Sequence, residues 1–130
     1  MRLLLDTHAF LWWVDDNRRL SRKARSAIAS REHTCYLSLA SVWEMAIKAS
    51  MDRLSLPSGV DRFVSEQLAA NEFEALPIDL RHSGEVARLP FHHRDPFDRL
   101  LVAQALDEPA HLFTVDPKLP PDSELVMMIA

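Results

Sequence analysis

The chain has 130 residues and 14.9 kDa, is 48% apolar and 26% charged, and sets 15 Lys plus Arg against 19 Asp plus Glu, for a net charge of −4 and a pI near 5.8. That is one domain's worth of chain, residues 1–130, with a folded protein's composition rather than a disordered or fibrous one. Two glycines (Gly59, Gly84) exclude Gly-rich phosphate loops, the lone Cys35 excludes a disulfide or cysteine zinc cluster, and the acidic balance excludes nucleic-acid binding through an overall basic face.

Residues 2–5 predict a short buried strand, and Asp6 and Thr7 offer caps for the apolar helix that carries Trp12 and Trp13. The opening residues loosely imitate a secretion signal, but Asp6 and His8 interrupt them and no small-residue cleavage site follows. No run approaches the ~18 apolar residues of a membrane span, so a cytoplasmic protein in a reducing compartment is expected. Asp15-Asp16-Asn17 breaks the first helix, and Ser21 caps a second over 22–30 with a basic outer face. The β-leaning run 34–37 predicts a second strand. Leu39, Val42, Trp43, Ala46 and Ile47 then fall on one side of a helix, predicting a stripe that faces the core. After the turn 56–59 come a helix over 60–71, a short strand over 73–78, and a helix capped by Asp79 and ending near Leu89. The loop 90–95 leads to Pro96 at a helix's first position, and the helix 97–106 is apolar on most sides, so it should lie centrally. Strands over 111–115 and 125–129 complete the chain. Strands alternating with helices predict an α/β fold: a central parallel sheet of four to five short strands, covered on both faces as a three-layer α/β/α sandwich.

Sites in such sheets form beyond the carboxyl ends of the strands. Asp6 and Asp116 end two strands, Asp95 and Asp98 open the 97–106 helix, and Glu44 borders the apolar stripe of its own helix. Each has a structural reading. Asp6 and Asp95 cap helices, Ser41 with Glu44 matches a capping box, Glu44 pairs with Lys48, Asp98 favours a helix dipole, and Asp116-Pro117 is a turn. Together they are a different matter, because carboxylates gathered at one sheet edge repel one another unless a counter-charge joins them. Mg²⁺, a hard cation that takes oxygen ligands and a phosphate, removes that cost and supplies the positive charge that an acidic protein lacks.

The segments Leu4-Leu5-Asp6-Thr7-His8-Ala9-Phe10-Leu11-Trp12, Ser38 to Lys48 around Trp43-Glu44, Arg94-Asp95-Pro96-Phe97-Asp98-Arg99-Leu100 and Thr114-Val115-Asp116 occur in an order that resembles the PIN-domain ribonucleases. More narrowly, they resemble the VapC-like toxins of bacterial type II toxin–antitoxin pairs. The resemblance implies Mg²⁺- or Mn²⁺-dependent RNA cleavage, with Asp6, Glu44, Asp98 and Asp116 as the catalytic and metal-binding acids. It makes Asp95 an additional acid, either cap or outer ligand, and places the family's small hydroxyl on Thr114. Lys48, Arg94 and Arg99 flank the acids and could grip phosphate or pair with the acids themselves, and Thr7 joins Lys48, Arg99 and Thr114 as a candidate substrate contact. Expected partners are RNA, a small cognate antitoxin protein and a second copy of the chain.

Trp12, Trp13 and Trp43 are expected in the core. Adjacent His92-His93 point different ways and make a poor transition-metal site. The rivals are a phospho-acceptor receiver, which wants paired acids just after its first strand where Asp6 stands alone, and an inactive PIN-like binding module, which has no need of intact acids.

Overall fold

The computed structural model describes residues 1–89 and 95–114 and the backbone of 126–128. In chain order the elements are β1 (Arg2–Leu5), α1 (Thr7–Val14), α2 (Arg22–Ala29), β2 (Thr34–Ser38), α3 (Leu39–Ser50), α4 (Val60–Asn71), β3 (Glu74–Leu76), α5 (Leu80–Arg88), α6 (Pro96–Asp107), β4 (His111–Thr114) and β5 (Val126–Met128). The strands form one sheet in the order β3-β2-β1-β4-β5, with every pairing parallel. From β1 the sheet grows one way through β2 and β3 and the other way through β4 and β5. The order therefore reverses between β1 and β4, and a crevice opens there beyond the strand ends.

Alternation along the strands divides the core into two layers. Leu3 and Leu5 of β1, Cys35 and Leu37 of β2 and Phe113 of β4 face α1 to α4, where they meet Phe10, Ile28, Met45, Phe63 and Val64. Leu4 and Leu112 face the other way, onto Leu101, Val102 and Ala105 of α6. Helix α5 packs on α6 outside the sheet. The expected three-layer α/β/α sandwich is therefore present, with five strands and with α6 central. Among the described residues no helix is long and apolar enough to cross a membrane.

Two expectations need correction. The strand expected over 73–78 is only Glu74–Leu76, because Pro77 carries no N–H for a ladder. More consequential is α3, whose buried face is Ala40, Ser41, Glu44 and Met45. Its most apolar row points outward instead: Leu39 is 42% exposed, Trp43 61% and Met51 52%, with Ile47 half-buried between them. Hydrophobic periodicity predicts the opposite rotation. Small Ala40 and Ser41 let the helix approach closely, and Glu44 is held inward by polar partners described below. Trp43 is therefore not a core residue, while Trp12 and Trp13 are half-buried against the larger core layer. The N-cap of α3 is Ser38, whose hydroxyl accepts the Ala40 N–H at 3.0 Å, so Ser41 and Glu44 form no capping box.

Candidate active site

The end of β1 turns directly into α1 at Asp6. Its backbone N–H donates to Phe113 O of β4 at 3.0 Å, and its buried carboxylate accepts the Ala9 N–H at 2.7 Å, capping α1. The charge thus sits at the positive end of a helix and at the strand reversal. Thr7, the first residue of α1, donates its hydroxyl to Glu44 Oε1 at 2.5 Å. The other oxygen, Oε2, accepts from Lys48 Nζ at 2.7 Å, one turn further along α3. Both oxygens of a buried carboxylate are thereby oriented, and Glu44 is joined to the residue that follows Asp6.

Helix α6 brings the third acid. Asp95 caps it by accepting the N–H groups of Phe97 (2.9 Å) and Asp98 (3.2 Å), and Pro96 occupies the first turn. Asp98, half-buried in that turn, is anchored towards α3 by its neighbour Phe97, whose ring meets Trp43 edge-on at 5.4 Å. Trp43 and Phe97 immediately precede Glu44 and Asp98, so their contact draws the two acids' backbones together. Fully buried Thr114 ends β4, in the strand paired to β1 with Leu5 opposite Phe113. Arg99 is buried and donates to Val86 O at 2.9 Å, tying α6 to α5. Asp116, His92, His93 and Arg94 lie outside the described residues.

Asp6, Thr7, Glu44, Lys48, Asp98 and Thr114 therefore share the carboxyl side of the sheet, and Asp95 serves as the cap beside them. Sequence reasoning took Ser41 only as a cap; it is fully buried one turn before Glu44, and its hydroxyl has no hydrogen-bond partner among the described residues. It was hidden by the capping-box reading. Donors here are hard oxygens, with no sulfur or imidazole among the described ones, and the buried Ser41 hydroxyl one turn from Glu44 is orphaned among them. The set fits a hard divalent cation.

A second polar cluster sits at the far end of α6, where fully buried His82 takes the Asp79 backbone N–H on Nδ1 at 3.1 Å and sets Nε2 3.0 Å from Glu108 and 3.3 Å from Asp107. Arg81 reaches Asp79, Asp107 and Glu108 at 3.2–3.5 Å. Its guanidinium holds the Asp79 carboxyl below the usual carboxylate value. Asp79, His82 and Glu108 lie close enough together to ligate an ion, but Arg81 already supplies their counter-charge, so this cluster serves structure. Burial pushes the Cys35 thiol up to about 11, which removes it as a nucleophile near neutral pH.

The PIN domain family model matches residues 3–120, and this chain belongs to the PIN domain family. It is 32% identical over 120 residues to Ribonuclease VapC22 of Mycobacterium tuberculosis, covering 90% of this chain and 88% of that one. Its fold matches the VapBC2 complex of Rickettsia felis bound to a promoter DNA fragment, with a TM-score of 0.75, 14% identity and all of both chains covered. A toxin–antitoxin complex from Klebsiella pneumoniae matches with a TM-score of 0.64 and 18% identity over 96% of this chain and 95% of that one. Family membership sets the receiver reading aside.

Proposed function

We propose that residues 1–130 act in the cytoplasm as one nuclease domain, a metal-dependent endoribonuclease that is the toxin of a toxin–antitoxin pair. The observation that carries this reading is the Thr7–Glu44–Lys48 chain, which locks a buried acid beside Asp6 at the strand reversal. The ribonuclease name of a 32% identical relative and the toxin–antitoxin neighbours support it.

Asp6, Glu44 and Asp98, with Asp116 following Thr114 by two residues, would hold the cation. Bound there, a hard divalent ion would supply Lewis acidity towards a phosphate and acidify water near it. The chain does the rest. Asp6 and Glu44 reach their places with donors already attached, so little rearrangement is needed at the moment of reaction. Lys48 places an ammonium beside Glu44, where it can meet a phosphate oxygen, the Thr7 hydroxyl holds Glu44 in place, and buried Thr114 closes the end of β4 beside them. Asp95 acts by fixing the first turn of α6.

The antitoxin presents Arg or Lys to the same carboxylates, displacing the cation by charge-assisted contacts. A second copy covers the outward row Leu39, Trp43, Ile47 and Met51, an apolar strip that water otherwise meets. Trp43→Glu should then leave a monomer by light scattering, whereas an unchanged mass removes that assignment. The test of the activity itself is cleavage of labelled RNA. It should occur with Mg²⁺ or Mn²⁺ and stop in EDTA, and full cleavage in EDTA by nuclease-free protein overturns the proposal.

A further inference from the structure

The chain's positive charge is concentrated. Residues 18–25 hold five of its 15 Lys and Arg and no acid, in a protein whose net charge is −4. Structurally, this segment is the corner between α1 and α2. Asn17 fixes it: its N–H donates to Trp12 O, its carbonyl accepts from Leu20 N, and its side chain accepts from Arg19 N. On this fixed turn Arg18, Arg22 and Arg25 line a hollow of about 400 Å³ against Leu20. Arg25 is engaged by Asp16 and by Asn17 O, while Arg18, Arg19, Arg22 and Lys23 are exposed and form no ion pair among the described residues.

Two features mark this as more than a solvated face. Arg22 and Lys23 occupy the first turn of α2, just after the Ser21 cap, where the helix dipole disfavours cations and no acid offsets them. Such a local conflict is relieved by a bound anion. In addition, the Arg19 guanidinium lies 5.9 Å over the half-buried Trp12 ring, which meets His8 edge-on at 6.1 Å. His8 is two residues from Asp6, so a strip of aromatic and cationic groups leads along α1 from the acids to the hollow.

We propose that the α1–α2 corner is a docking track for single-stranded RNA, with Arg18 and Arg22 taking backbone phosphates and Trp12 offering a stacking face to a base. The proposal rests on the nuclease reading and deepens it. An acid-lined crevice repels a phosphodiester, and a separate cationic anchor holds the strand while one bond enters the crevice.

The experiment is fluorescence anisotropy of a short labelled single-stranded RNA with the full chain in EDTA, where nothing is cut. Arg18→Glu/Arg22→Glu should weaken binding by about tenfold or more and lower the salt slope by roughly 1.4, the share of two phosphate contacts on a single strand. The charge-matched control Arg2→Glu/Arg31→Glu, at the amino end of the sheet with the length of α2 between Arg31 and Arg22, should change affinity by less than about twofold. Folding does not confound the result, because Arg22→Glu places an acid in a helix's first turn, and its melting temperature should be no lower than wild type. Duplex DNA should bind more weakly than the RNA, since its bases cannot reach Trp12. Equal losses in both variants, an unaffected site variant, or duplex DNA bound as tightly as RNA would each overturn the track. Since binding is read without metal, failure to cleave with Mg²⁺ would count against the nuclease reading and not against this one.

Discussion

Helix α6 carries carboxylates at both ends, and the surrounding chain answers them differently. At the last turn, Asp107 and Glu108, with Asp79 from the start of α5, meet protein cations and a buried imidazole: Arg81 spans all three and His82 lies between them. At the first turn, Asp95 takes backbone N–H groups, as Asp6 does across the crevice, and Glu44 takes one hydroxyl and one ammonium. Backbone donors fix a carboxylate's direction without cancelling its charge, and each carboxylate has about four lone-pair positions to share. A cluster whose charge is met from within holds a fold together. One whose members are oriented by backbone N–H and hydroxyl donors, as Asp6, Asp95 and Glu44 are, keeps carboxylate oxygens that a cation from outside can use.

The comparison breaks most visibly at Asp6. Asn keeps the helix cap but not the charge, so Asp6→Asn should fold normally by circular dichroism and lose RNA cleavage by about 100-fold or more. Cleavage at the wild-type rate would make the first-turn acids as structural as those of the last turn. At the other end, His82→Ala removes a fully buried partner from Glu108, Asp107 and the Asp79 N–H. It should cost about 2 kcal/mol in urea unfolding, with Mg²⁺-dependent cleavage per folded molecule unchanged. A loss of cleavage out of proportion to stability would show that the two ends are coupled. The smallest effect belongs to Asp79. Because Arg81 lowers its folded-state pKa from 3.8, its ion pair contributes stability above that value and loses it as pH falls through the lower one. Asp79→Asn should accordingly flatten the acid limb of the stability curve below about pH 4 and leave the neutral region nearly unchanged, because the pair is exposed.

How much of this was legible in the sequence varies by feature. β1, α4 and the caps at Asp6, Ser21, Asp79 and Asp95 follow from local chemistry alone, because a strand run, a cap and an apolar register each act over a few residues. The acids of the first turn were legible as an ordered set, since a sheet edge collects what its strands and helix starts carry. The rotation of α3 was not. Periodicity names an apolar side but not what that side meets, and the Thr7 and Lys48 contacts turned Glu44 inward and Trp43 outward. His82 was silent for a similar reason: its partners come from 26 residues away as well as from its own turn. The Arg18–Arg25 corner was visible only as a basic helix face, and its convergence on a hollow depends on the turn at Asn17.

The claim that the crevice acids await a cation is tested most directly by melting curves of wild type and Asp98→Asn, in EDTA and across a Mg²⁺ titration at constant ionic strength. Removing one of the mutually repelling charges while keeping the side chain's shape should raise the melting temperature in EDTA by a few degrees, about 1 kcal/mol. Mg²⁺ should then stabilise wild type by mass action and the variant much less. If Asp98→Asn melts lower than wild type in EDTA and gains as much from Mg²⁺, Asp98 is a structural first-turn acid and the account of the crevice is wrong.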